Sequence, residues 1–134
     1  MVLEESIETN ITLEKDKSKI NNKKLNQSII YSNFEEVLAK LNSGLNTMIG
    51  EKGVRLSGGQ NKRLALARVL YHGKNFLILD EATSSLDKES ENYIAEQIKI
   101  LKGNYTIIII SHQLNLLKHC DKIYKIDNKK VIFN

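Results

Sequence analysis

The sequence predicts an α/β protein with helices in its first half and parallel strands in its second. Two observations carry that prediction. FLILD (76–80) and YTIIII (105–110) are short apolar runs without alternation, the pattern of strands buried in a parallel sheet. Between and before them, apolar residues recur at helical spacing, bounded by capping residues and glycines. Strand, helix, strand in that order implies a right-handed crossover with both strands parallel.

Taken in order, residues 1–13 give an ambiguous signal, in which Ser6, Glu8 and the apolar pair Ile7 and Ile11 allow one helical turn. The stretch EKDKSKINNKKLNQ (14–27) has only Ile20 and Leu25 to bury and reads as loop or short irregular helix. From Ser32 or Asn33, either of which can cap, Phe34, Val37, Leu38 and Leu41 fall at amphipathic spacing, and Gly44 ends the predicted helix. A loop with Gly50 and Gly53 precedes a second helix that starts at Ser57, carries Leu64, Leu66, Ala67 and Leu70, and stops at Gly73. After FLILD, Asp87 caps a helix bearing Tyr93, Ile94, Ile98 and Leu101, with Gly103 behind it. YTIIII follows, then a short helix LNLLKHC, then KIYKID and VIFN, which flank a turn at 127–130 as an edge hairpin.

Composition narrows the class. At 134 residues and 41% apolar content the chain is one domain's worth of globular sequence. No apolar run is longer than Ile107 to Ile110, against the roughly 20 residues that span a bilayer, so direct membrane insertion is not expected. The acidic N-terminus, MVLEESIE, lacks the basic start and apolar core of a secretory signal, and a cytoplasmic location is expected. Cys120 is the single cysteine and reads as a reduced thiol. The net charge of +4 comes from lysines scattered along the chain and interrupted by Glu35, Glu36, Glu89 and Glu91, which argues against nucleic-acid binding.

Three features carry chemistry. LSGGQ (56–60) puts a serine at a helix N-cap and glycines at 58 and 59, where unpaired amides and the helix dipole favour an anion and the missing Cβ atoms let a phosphate approach. The strand FLILD leads into Asp80 and Glu81, at the edge where open α/β sheets bind ligands. There, one carboxylate can hold Mg²⁺ through water and its neighbour can orient or activate an attacking water. The next parallel strand leads into Ser111 and His112, which brings an imidazole to the same edge. Each feature alone has an ordinary structural reading; a histidine beside two acids on neighbouring strand ends is not easily dismissed.

In combination these residues resemble the C-terminal half of an ATP-binding cassette (ABC) ATPase, from about Thr47 to the end. LSGGQ resembles the family signature, FLILDE (76–81) the Walker B strand, SSLD (84–87) the D-loop and His112 the switch histidine. TMIGEKG (47–53) resembles the loop with which exporter-type cassettes sense their membrane domains, and DEAT (80–83) also resembles exporters. VLEESIETNITL (2–13) resembles the exporter segment just downstream of the Q-loop. The resemblance implies a partial P-loop NTPase fold, with a helical signature subdomain at about 1–73 and the C-terminal part of the catalytic sheet at about 74–134. It implies that Ser57, Gly58 and Gly59, with Gln60 nearby, close on the γ-phosphate of ATP bound to a second nucleotide-binding domain. It further implies that Asp80 supports Mg²⁺, Glu81 is the general base, His112 contacts the γ-phosphate, Asp87 crosses the dimer interface and Glu51 couples to a transmembrane transporter domain.

One part is missing from these 134 residues. The phosphate cradle of such ATPases, G-x-x-x-x-G-K-[ST], has no counterpart: the seven glycines are 44, 50, 53, 58, 59, 73 and 103, and Gly73-Lys74 is followed by asparagine. The adenine-stacking aromatic and the Q-loop glutamine are absent too, so the chain resembles a cassette cut just after the Q-loop. Without the Walker A strand, a gap is expected between the strand ending at His112 and KIYKID, with an apolar face partly uncovered. The chain is therefore expected to be poorly stable or aggregating alone and to need a Walker A from another polypeptide. A truncated, non-catalytic module that docks on an intact cassette is one alternative, and a related cytosolic signature-bearing ATPase of DNA repair or translation is another, against which the exporter-like Glu51 loop and DEAT argue. Smaller departures are Asn61 and Lys62 where the family favours Arg and Gln, Gln113 after the switch histidine, and Asn128 in a turn often held by glycine.

Overall fold

The computed structural model describes residues 2–73, 75–81 and 87–133. Its first half is helical. Helix α1 (Ile7–Thr12) starts at Ser6, whose Oγ accepts the Thr9 amide, and stops where Leu13 turns left-handed. Helix α2 (Asn22–Tyr31) starts at Asn21, whose side chain accepts from the Lys24 amide. It runs further than the sequence suggested, because Leu25, Ser28 and Ile29 share one buried face and the Ser28 hydroxyl satisfies itself on the Leu25 carbonyl.

Helix α3 (Glu35–Leu38) corrects the expectation of an amphipathic helix running to Gly44. Phe34 and Val37 are buried as expected. Beyond Leu38, however, the bonds switch to three-residue closures, Lys40 to Val37 and Leu41 to Leu38. A 3₁₀ turn (Gly44–Asn46) follows, entered through Gly44 in the left-handed region.

Helix α4 (Gly58–His72) is the organising element. Ser57 caps it and Gly73 closes it in the left-handed region, both as the sequence indicated. Leu64 and Ala67 pack into a core with Ile7, Ile11, Leu25, Ile29, Phe34 and Ile49. Leu66 and Leu70 face the other way, onto the strands. Arg68 ties α4 to α1, its Nε donating to the Asn10 carbonyl at 2.6 Å while a second nitrogen reaches Asn10 Oδ1 at 3.1 Å. Fully buried Asn10 is itself satisfied by the Leu3 and Ser6 backbone.

Strand β1 (Phe76–Asp80) pairs in parallel with β2 (Thr106–Ile110), Leu79 opposite Ile109 and Asp80 opposite Ile110. Helix α5 (Lys88–Leu101) connects them, burying Ile94, Ala95 and Ile98 against Leu79, Ile107 and Ile109. Strands that read as buried throughout are buried on one face only, and the other is the partly uncovered apolar face expected without a Walker A strand: burial alternates, and Phe76, Ile78, Ile108 and Ile110 are each about half exposed. The described elements cover only the α5 side, so apolar strands without sequence alternation acquire alternation in burial.

Short helix α6 (Leu114–Leu117) buries Leu116 beside α5. The terminal hairpin, β3 (Tyr124–Asp127) with β4 (Lys130–Phe133), turns through Asn128 and Lys129, both left-handed, the geometry of a type I′ turn. It is a separate two-stranded sheet rather than an edge of the first, since β2 and β3 share no ladder among the described residues.

Candidate functional site

The site is built around the tip of α4. The Ser57 Oγ accepts the Gln60 amide at 3.3 Å, and the Gln60 side-chain oxygen accepts the Ser57 amide at 2.8 Å, a reciprocal capping box. Asn61 adds a third tie to the Leu56 carbonyl. Two consequences follow. The Ser57 hydroxyl, already accepting from Gln60, keeps its own proton to donate, and the Gly58 and Gly59 amides belong to the first turn, where a helix has no carbonyl to offer them. Gln60, expected beside the ligand, is turned back onto the cap. In front of this tip lies a cleft of about 360 Å³ lined by Glu36, Ser57, Gly59, Gln60, Arg63 and Asp87, among others.

The acids and the histidine come together at the strand ends. Asp80 closes β1 with its side chain exposed. Glu81 follows in a left-handed conformation, φ 47°, its amide donating to the Ile110 carbonyl at 2.9 Å. Beyond β2 the Ser111 hydroxyl accepts the Gln113 amide, a local turn that carries His112. The His112 Nε2 lies 3.5 Å from Glu81 Oε1, with the imidazole almost fully exposed and the carboxylate about a third exposed. A group outside the expected set joins them: Lys62, one turn into α4, donates from Nζ to the Glu81 carbonyl at 2.6 Å. Nothing in the local sequence marks a lysine in a mixed basic and apolar run as facing a strand end, which is why sequence reasoning missed it.

Asp87 is the N-cap of α5 and accepts from both the amide and the hydroxyl of Ser90 at 2.9 and 2.7 Å. It also pairs with buried Arg63, which donates to the Ser90 hydroxyl, the Asn33 carbonyl and Glu36 as well. The two Ser90 donors hold the Asp87 carboxyl below its usual value. Since its folded value is depressed, the cap stabilises the fold fully above the usual 3.8 and that contribution is lost as pH falls through the lowered value. We expect Asp87→Asn to flatten the acid limb of the stability profile below about pH 4, read by circular dichroism across pH; an unchanged limb would discard the cap as its source. The rest of the SSLD stretch, Ser84 to Leu86, and Ala82 and Thr83 of DEAT lie outside the described residues.

Glu51 sits apart, exposed in a loop whose base is closed by the Val54 amide on the Met48 carbonyl at 2.9 Å. Gly53 is required there, because a Cβ would stand 2.4 Å from the Met48 oxygen. The Ile49 amide donates to the Glu5 carbonyl, pinning the loop to the N-terminal segment. No helix among the described residues is long and apolar enough to cross a membrane.

Comparison with known proteins places this arrangement. The profile of the RecF/RecN/SMC N-terminal domain matches residues 2–133. An ATP-dependent lipid A-core flippase of Idiomarina loihiensis is 43% identical over 118 residues, which is 88% of this chain and 20% of that protein. A Staphylococcus aureus protein named for multidrug export, an ATP-binding/permease protein, is 43% identical over 101 residues, 75% of this chain and 18% of its own length. In structure, the chain is similar to a bacterial Atm1-family ABC exporter with ATP bound, at TM-score 0.81 and 28% identity, covering 97% of this chain and 22% of that one. The chain thus spans about a fifth of the length of the relatives it matches. Fold and site define an ABC ATPase-like domain of partial P-loop NTPase fold. The chain belongs to the RecF/RecN/SMC N-terminal domain family, and its relatives are ABC exporters.

Proposed function

We propose that this chain is the C-terminal segment of an exporter-type ABC ATPase that couples ATP hydrolysis to transport, its Walker A supplied by another polypeptide. Residues 1–73 form the helical subdomain and 74–134 the C-terminal part of the catalytic sheet. The observation that carries the reading is the approach of His112 to Glu81 at 3.5 Å, from the ends of two parallel strands tied through Lys62 to the signature helix.

The residues fit the ligands. The Ser57 hydroxyl and the Gly58 and Gly59 amides are donors suited to a γ-phosphate presented by a second nucleotide-binding domain. Among the described residues no group of three acids, histidines or cysteines could hold a metal. Asp80, exposed at the end of β1, is the residue of this chain that would hold Mg²⁺, and the complementing polypeptide and the nucleotide would supply the remainder. When bound, the cation neutralises charge developing on the phosphate oxygens. Glu81 takes a proton from the attacking water as its oxygen bonds to the γ-phosphorus and the bond to the bridging oxygen of ADP breaks. His112 contacts the γ-phosphate, and Gln60 fixes the cap that aims Ser57. Asp87 faces the dimer interface, Glu51 meets the transmembrane domain, and the protein works at the cytoplasmic face of the membrane through that partner.

The bare face of Phe76, Ile78, Ile108 and Ile110 and the break between β2 and β3 support the need for a complementing strand and helix. The test is phosphate release from ATP and Mg²⁺ by the purified chain, alone and mixed with a polypeptide bearing the Walker A portion of an exporter cassette. We expect background turnover alone and magnesium-dependent hydrolysis on mixing. Robust hydrolysis by the chain alone would refute the divided site, and silence on mixing despite binding would favour the docking module.

A further inference from the structure

We propose that Lys62 is a positioning residue for Glu81, holding the backbone turn that aims the carboxylate and linking it to the signature tip. The proposal rests on the reading of Glu81 as general base and adds a residue that departs from the family pattern.

The argument begins with the backbone. Glu81 is neither glycine nor asparagine, yet it is left-handed, a conformation that crowds Cβ against the carbonyl oxygen and persists only where neighbours hold it. Two bonds do so among the described residues. The Ile110 carbonyl takes the Glu81 amide at 2.9 Å, fixing the side toward β2. On the other side the Lys62 ammonium takes the Glu81 carbonyl at 2.6 Å, a charge-assisted bond stronger than a neutral one. Releasing the second tie lets the peptide after Glu81 rotate toward ordinary strand geometry, which swings the carboxylate away from His112.

The same side chain joins two parts of the site. Lys62 is half-buried and follows the capping box by only two residues, so a shift of the Ser57 to Gln60 tip moves its root directly. Its neighbour Arg63 anchors the same turn of α4 to Asn33, Glu36 and Ser90, leaving the Lys62 stem a fixed platform. Contact between phosphate and the signature is thereby transmitted to the base within one chain.

The experiment uses the chain complemented by the Walker A polypeptide and compares wild type, Lys62→Met, Lys62→Arg and Glu81→Gln. We expect Lys62→Met to lower kcat about tenfold with KM for ATP within about twofold, as for a small misplacement of a reacting group. Lys62→Arg, which keeps a charged donor of similar reach, should regain most of the loss. In hydrogen exchange, the Glu81 amide should exchange faster in Lys62→Met than in wild type or Lys62→Arg. The proposal is overturned if Lys62→Met turns over within about twofold of wild type while Glu81→Gln is inactive. It is equally overturned if kcat, KM and melting temperature fall together and arginine restores none of them. A Glu81→Gln complex as active as wild type would instead remove the base itself, and the reading beneath the proposal with it.

Discussion

Replacing Glu81 with glutamine in the complemented ATPase lowers kcat by about 10²–10⁴, the range that a positioned general base contributes. That factor corresponds to about 3–5 kcal/mol of transition-state stabilisation. Glutamine preserves volume and the backbone, so the Lys62 tie to the residue's carbonyl and the amide bond to Ile110 persist. What disappears is the oxygen able to take a proton, together with the negative partner of His112. Since glutamine leaves the capping box and the first-turn amides unchanged, nucleotide capture should change little, and the loss should fall on kcat rather than KM. Steady-state phosphate release with a fluorescent nucleotide titration measures both. A kcat within about tenfold of wild type would reassign the base, since that is less than positioned proton transfer is worth.

The helix that matters most was the easiest to read. Serine, two glycines and a glutamine three residues after the cap specify both halves of a capping box, and Gly73 specifies the left-handed stop, so local chemistry fixed both ends of α4. The acids and His112 were legible for a related reason: parallel strands carry their C-terminal residues to one edge, and the register that sets Asp80 opposite Ile110 turns sequence order into proximity. Two kinds of feature were not legible. Helix α3 ends early because its backbone bonds tighten to three-residue closures after Leu38, a switch that apolar spacing does not report. The alternation of burial along the strands was hidden because apolar strand residues look alike whether or not something covers them, and only the missing Walker A strand pointed to a partly bare face. Lys62 and Arg63 sit side by side in the sequence yet reach different partners, one a strand-end carbonyl and the other α3 and α5, and only packing separates their roles.

Arg63→Met destabilises the fold by about 2–3 kcal/mol. Arg63 is 8% exposed, and its guanidinium joins three segments: Asn33 and Glu36 around the start of α3, its own helix α4, and Asp87 with Ser90 at the start of α5. Removing one member of a buried ion pair ordinarily costs about 3–5 kcal/mol, because the partner charge is stranded. Here the stranded carboxylates are not deeply held, since the Glu36 and Asp87 side chains are 51% and 66% exposed and return to water. Methionine also refills the volume, and the Arg63 Nε, which has no partner among the described residues, is no longer buried. These gains set the loss below the full range. It stays above 1 kcal/mol because the Asn33 carbonyl, on a residue only 4% exposed, loses its donor. Lysine in place of Arg63 should recover no more than half, as a single ammonium cannot fork to Glu36 and the α5 cap at once. Thermal unfolding of the complemented complex should show a fall of roughly 10 °C for a domain of this size. A change under about 0.5 kcal/mol, the usual scale of surface substitutions, would mean that the cap and α3 are held by other contacts. The same substitution loosens both Asp87 and the turn of α4 that carries Lys62, so an effect on turnover beyond the stability loss would trace to one of those two ties rather than to removal of the base.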